Sequence, residues 1–173
     1  MTNKEASSKQ EQMVAKFLGW KVVTGSGSRP FRPGDVQNDN YLVECKTHTK
    51  EQKNIVFYKK HWDKIVIESR SVNKYPALIV DEGSQRVENT WVMLPKRVIT
   101  RESTAQILRL VNTSTSLNTI TFANQGARDF YKSVYIEGDN GKINFYEDDF
   151  GYESVAIMPL SEFKKFYQEQ FES

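Results

Sequence analysis

Residues 25–50 read GSGSRPFRPGDVQNDNYLVECKTHTK, and the rest of the chain is organised around them. The stretch sets Asp35 before a cluster of turn-forming residues, Gln37-Asn38-Asp39-Asn40, and returns along an apolar run to Glu44 and Lys46. That cluster predicts that Gly34-Asp35-Val36 and Tyr41 to Lys46 are the two arms of an antiparallel hairpin. Successive side chains of a strand point to opposite faces, so Leu42, Glu44 and Lys46 share one face while Val43 and Cys45 share the other. Folding back brings Asp35 towards Glu44.

Two carboxylates and an ammonium so placed suit the cleavage of a phosphodiester with a metal ion. Mg²⁺, or Mn²⁺ in its stead, takes oxygen ligands and keeps several waters, so Asp35 and Glu44 with substrate phosphate oxygens suffice to hold it. Lys46 would stabilise charge developing on the phosphorane oxygens or orient the attacking water. Cys45 stands between the two motif residues and is counted with the metal site, although its thiol faces the other side of the strand and reads as a small core residue, not a nucleophile. Taken alone, an aspartate followed by Glu-x-Lys is common in soluble proteins as a weak, solvated surface pair. The order of the surrounding elements carries the argument further.

That order is a helix with an acidic residue, a Gly-Ser-rich loop, Gly-Asp, a hairpin, Glu-Cys-Lys, then a helix and a strand. It resembles the PD-(D/E)xK nuclease superfamily, and within it the archaeal-type Holliday junction resolvases and their phage relatives. The resemblance covers Ser8 to Leu94 and departs at Gly34, where the family often has proline. It implies an α/β fold with a restriction-endonuclease-like mixed β-sheet flanked by helices. It also implies a Mg²⁺-dependent DNA endonuclease acting on branched DNA, and a homodimer, since resolving a four-way junction needs paired cuts. Glu11 on the first helix would join Asp35 and Glu44 as a metal ligand, Lys46 would be catalytic, and Ser26 or Ser28 would assist near the substrate. Other readings are a nuclease of the same fold acting on other DNA, such as a restriction or repair enzyme, a DNA-binding or structural module that no longer cuts, and an unrelated small α/β protein in which Glu-Cys-Lys is accidental.

A chain of 173 residues is most simply one domain, 1–173, with a motif-bearing core over 8–94 and a segment 95–173 that completes or decorates it. The net charge of +2 conceals an asymmetry. Residues 1–60 hold 11 Lys and Arg against 6 Asp and Glu, a balance of +5, and the remainder holds 13 against 16, a balance of −3. The basic half carries the motif, as binding to DNA phosphates asks. A single cysteine makes no internal disulfide and suits a reducing cytoplasm, in a bacterial, archaeal or phage-encoded setting. No apolar run approaches about 18 residues, so no membrane segment is expected. No Gly-Lys-Ser/Thr closes the Gly-rich loop, so no nucleotide cofactor is expected.

Along the chain, Ser8 to Leu18 is expected to be helical and to end at Gly19, with Ser8-x-x-Glu11 reading equally as a capping box and as the place of a metal ligand. Glu5 is the alternative ligand. Trp20 to Val23 reads as a strand leading into Gly25 to Arg32, whose Ser26, Ser28, Arg29 and Arg32 would meet DNA phosphates. Lys50 and Lys53 extend that basic surface, and Gln52 would orient substrate. His48 and His61 lack zinc-ligand spacing. Phe57 to Ser69 is expected to be a helix with Lys59, Lys60 and Lys64 outside, and Pro76 to Val80 and Thr90 to Leu94 neighbouring strands. Beyond Pro95, short helices are expected over Pro95 to Thr100 and Thr104 to Val111, and a strand over Asn118 to Ala123. A hairpin of Lys132 to Glu137 with Lys142 to Glu147 would turn at Gly138 to Gly141. Glu147-Asp148-Asp149 reads as a solvated turn, Ser154 to Met158 as a strand, and Ser161 as the cap of a last helix that closes the core or binds a second subunit.

Overall fold

A computed structural model describes residues 1–23, 33–99, 105–108, 114–137, 143–151 and 153–171. Helix α1 (Asn3–Leu18) begins earlier than Ser8, because Thr2 supplies the cap. The Thr2 hydroxyl accepts from the Glu5 amide, and the Glu5 carboxylate accepts from the Thr2 amide. Ser8 therefore lies inside the helix, its hydroxyl accepting from the Gln12 side chain, and Glu11 has no capping role. The helix ends at Gly19, whose φ of 74° is the left-handed cap conformation.

β1 (Lys21–Val22), β2 (Val36–Gln37) and β3 (Tyr41–Lys46) follow. The expected hairpin forms: Val36 faces Val43, and Gln37 faces Leu42. Asn38 makes the turn by accepting from the amides of Asn40 and Tyr41 through its side-chain oxygen. β4 (Asn54–Tyr58) then precedes α2 (Lys59–Ser71). Phe57 belongs to this strand and not to the helix, because Ile55 and Phe57 alternate inward while Asn54 and Tyr58 stay exposed.

The chain continues through β5 (Tyr75–Val80), a short turn of helix over Val87–Asn89, β6 (Trp91–Pro95), α3 (Lys96–Ile99), β7 (Ala105–Leu108), β8 (Ser114–Thr115) and β9 (Thr119–Ala123). It closes with α4 (Asn124–Glu137), β10 (Ile143–Phe150), β11 (Glu153–Pro159) and α5 (Leu160–Phe171). Several expectations for this half are corrected. Residues 105–108 form a strand parallel to β10 in place of a helix. Lys132 to Glu137 ends a helix, since Ala127 and Tyr131 recur at the helical spacing and are both buried. Its supposed partner strand pairs with β11, and the turn at 138–141 lies outside the described residues. Glu147, Asp148 and Asp149 sit in β10, where Lys96, Thr115 and Ser154 engage their side chains. Ser161 lies within the first turn of α5 and is not its cap.

The large sheet has eight strands in the order β1-β2-β3-β5-β6-β11-β10-β7, and β4, β9 and β8 form a second sheet of three. β3 and β5 run parallel, as do β10 and β7, while the other neighbours are antiparallel. The fold is thus α/β with a mixed sheet flanked by helices, compatible with the arrangement that the resemblance implied. Strand alternation divides the core. Val43, Cys45, Ala77 and Ile79 pack with Val14 and Leu18 of α1 and with Phe163 and Phe166 of α5. Leu42, Leu78, Val80 and Trp91 pack on the other face with Trp62 and Ile65 of α2 and with the small sheet. The aromatic side chains of α5 close the core, Tyr167 and Phe163 meeting Trp20 and Tyr41 edge to face at centroid distances of 5.0–6.1 Å. Among the described residues no helix is long and apolar enough to cross a membrane.

After β3, the chain is docked by its backbone onto the loop that follows β5. The Gln52 amide donates to the Glu82 carbonyl, and the Gln85 side chain donates to the His48 carbonyl. Gly83 makes that approach possible: its φ is +116°, and a Cβ there would stand 2.3 Å from the Lys50 carbonyl oxygen. Gly83→Ala is therefore expected to cost about 2–3 kcal/mol, lowering Tm by roughly 5–10 °C. Gly126→Ala, where a Cβ meets nothing within 4 Å, is the matched control and should hold or raise Tm. Equal melting of the two variants would refute the account.

Candidate functional site

Register puts the motif together. The Asp35 amide donates to the Val43 carbonyl at 2.7 Å, and the Asp35 carboxylate accepts from the Cys45 amide at 2.9 Å. The aspartate is thus tied across the hairpin to the residue after Glu44. Gly34 explains the departure from proline: its φ of +73° is closed to proline, its amide donates to Glu68 at 3.1 Å, and a Cβ would stand 2.7 Å from the Leu42 side chain.

Glu44 is buried, its side chain 4% exposed, and two ammonium groups accompany it. Lys46 Nζ lies 3.5 Å from one carboxylate oxygen, and Lys64 Nζ, reaching over from α2, lies 2.7 Å from the other. Lys64 also meets Glu68 at 3.1 Å. Glu68 and Lys64 therefore link the Gly34 amide to the Glu44 carboxylate, supporting both arms of the hairpin from one helix.

Titration follows from this crowding. Burial lifts Asp35 from 3.8 to about 7, reinforced by the charges of Glu44 and Glu11 and opposed by the Cys45 amide. Burial alone would also raise Glu44, but the hydrogen bond and charge of Lys64, the charge of Lys46 and a hydrogen bond from Asp35 bring it below the ordinary value. Burial and the charge of Glu44 raise Glu11, against a hydrogen bond with Asp35 and the charge of Lys46. Asp35 is thus the carboxyl that both of the others engage. A proton on Asp35 serves Glu44 as a donor.

Glu11 reaches this cluster because its neighbour Gln10 anchors α1. Gln10 is fully buried, and its amide group donates to the Lys46 carbonyl at 2.6 Å and, more weakly, to that of Ile79 at 3.5 Å. Glu5 is occupied in the helix cap. Cys45 contributes its amide; its thiol is buried in the α1-side core and pushed well up by that burial. Ser26, Ser28, Arg29 and Arg32 lie outside the described residues. Lys50 and Lys53 are exposed after the motif strand, and Gln52 turns its side chain to the Lys50 carbonyl. His48 is exposed and takes part through its carbonyl. His61 proves closer to the site than the sequence suggests. Burial pushes it down to about 4, with Lys46, Lys60 and Lys64 adding to the effect and Glu44 opposing it.

Sequence reasoning missed Gln10 and Lys64. Gln10 has a signal: it interrupts the stripe Ala6-Gln10-Val14-Leu18, all four buried. Lys64 has none, because its partner is 20 residues away on another element.

Among the described residues no group of three or more His, Cys, Asp or Glu side chains is assembled that could hold a metal ion. The donor chemistry nevertheless fits a hard cation, since Asp35 and Glu44 offer oxygen only, and their mutual repulsion is what a divalent charge would relieve. Such an ion would be held by Asp35 and Glu44, with Glu11 beside Asp35. No family model, curated protein or solved structure matches the chain.

Two outcomes follow. The folded-state value of Asp35 lies above that of the unfolded chain, so its contribution to stability is intact below 3.8 and is lost as pH rises towards 7. In EDTA, the Tm of Asp35→Asn should gain on the wild type across that window, and a constant difference would exclude the shift. Lys64→Met leaves Glu44 with Lys46 alone. Because Lys64 is half exposed, the usual cost of breaking a buried pair is discounted to about 1–2 kcal/mol, or roughly 3–6 °C in Tm. Added Mg²⁺ or Mn²⁺ should restore more stability to this variant than to the wild type, as differential scanning fluorimetry would report.

Proposed function

We propose that the protein is a metal-dependent DNA endonuclease that hydrolyses phosphodiester bonds, with branched DNA of the four-way-junction kind as its substrate and a homodimer as its working form. The observation that carries the hydrolytic reading is the meeting of Asp35 and Glu44 across the hairpin with the Lys46 ammonium 3.5 Å from Glu44. Substrate and dimer rest on the sequence resemblance alone.

In this reading Asp35 and Glu44 would hold Mg²⁺ or Mn²⁺, with Glu11 hydrogen-bonded beside Asp35. Such an ion would supply charge to the scissile phosphate and acidify an attacking water. Lys46, whose side chain is 41% exposed, offers its ammonium to the phosphate oxygens as negative charge builds there. The Cys45 amide donates to one Asp35 oxygen at 2.9 Å and so helps orient the carboxyl. Lys50 and Lys53 neutralise neighbouring phosphates.

A non-cleaving DNA-binding module is the second reading, favoured by the engagement of Glu44 with two lysines. Cleavage of a labelled four-way junction, a linear duplex and a single strand, each in Mg²⁺, Mn²⁺ or EDTA, separates the two. Expected are paired cuts in the junction, dependent on metal and reduced at least about 100-fold in Lys46→Ala and Glu44→Ala, with junction binding in EDTA retained. Cuts confined to duplex or single strand would keep the nuclease and discard the junction. Binding without cutting by the folded wild type would leave the module.

A further inference from the structure

The face of α2 that touches the carboxylates continues past them. His61, Lys64 and Glu68 recur at the helical spacing of three and four residues, and Tyr58 precedes His61 by three at the end of β4. At the inner end of this row Glu68 and Lys64 hold Gly34 and Glu44. Towards its outer end stand two rings. Tyr58 meets His61 edge to face at a centroid distance of 5.4 Å and is 38% exposed.

Cations surround these rings. Lys60 Nζ lies 5.5 Å from the centre of the Tyr58 ring, and Lys46 and Lys64 stand near enough to His61 to act on its charge. The outward face of Tyr58 is not explained by the core, which Ile55 and Phe57 serve from the same strand. An exposed aromatic step bordered by ammonium groups, next to a site for phosphodiesters, has the chemistry that unstacked nucleobases require: a ring face for the base and positive charge for the backbone on either side.

We propose that Tyr58 and His61 form a stacking platform for a nucleobase splayed out of its helix beside the scissile phosphate, with Lys60 contacting the adjoining backbone. The inference rests on the nuclease reading and deepens it: the preferred substrate presents an unpaired or readily unpaired base next to the cut, as branch points, flaps and single strands do. A perfect linear duplex does so only at the cost of unstacking.

The test uses the full chain in EDTA, so that binding is read without cleavage, and four-way junctions carrying 2-aminopurine at successive positions around the branch point. Quenching of the probe is expected at one position adjacent to the cut that the same protein makes in Mg²⁺. Tyr58→Ala should remove that quenching and weaken junction binding about tenfold, while Tyr58→Phe retains both and melts as the wild type does. His61→Ala should reduce the quenching. If Tyr58→Ala binds within about twofold of the wild type and quenches alike, the platform is overturned, and wild-type cleavage in Mg²⁺ would leave the nuclease reading standing. If the wild type binds and quenches but never cuts, the platform holds and the nuclease reading falls. If it neither binds nor cuts, both fall.

Discussion

A carboxylate taken out of water needs compensating charge, and at Glu44, 3% exposed, that requirement shapes the surrounding structure. Lys46 answers from the same face of the strand, which any extended backbone would provide. Lys64 answers from α2, and it does so only if that helix lies across β3 at the right height and rotation. The same helix then fixes Gly34 through Glu68. The hairpin is held at three places: by the Asn38 turn, by the bond from the Cys45 amide to Asp35, and by a helix whose opposite side is buried among Leu42, Leu78 and Val80. Packing and charge compensation thus depend on one orientation of α2.

The first half of the chain could be read because its signals are local. Asn38 makes its turn with residues two and three places on, and the alternation of Leu42, Val43, Glu44 and Cys45 needs nothing beyond the strand itself. Asp35 and Glu44 were legible for that reason. Gln10 and Lys64 act on groups 36 and 20 residues away, so their roles exist only once the elements are assembled. Glu11 shows the same division: the sequence offers it a capping partner in Ser8, and the structure places the capping box six residues earlier, at Thr2 and Glu5.

The second half was harder for a related reason. β4 is a strand because β9 lies beside it, Phe57 facing Ile120 across more than sixty intervening positions, whereas its own sequence runs into a helix without a break. β11 inserts between β6 and β10, so segments far apart in sequence are neighbours in the sheet. Residues 132–137 belong to a helix whose Ala127 and Tyr131 are buried, so the strand expected there does not form.

These constraints bear on how a divalent cation would enter. Lys64 neutralises one Glu44 oxygen at 2.7 Å, and burial raises the affinity of Asp35 for its proton. A cation taking both carboxylates must release the Asp35 proton and share or displace Lys64. Affinity is then the difference between two compensated states and not the attraction of a bare acidic pair, which makes binding strengthen with pH and weaken with any change that tightens Lys64 on Glu44. Glu68, 3.1 Å from Lys64, offers that ammonium a second carboxylate on its own helix. The side chains of Lys46 and Lys64 are 41% and 52% exposed, so the charge that compensates the buried carboxylate is itself partly solvated.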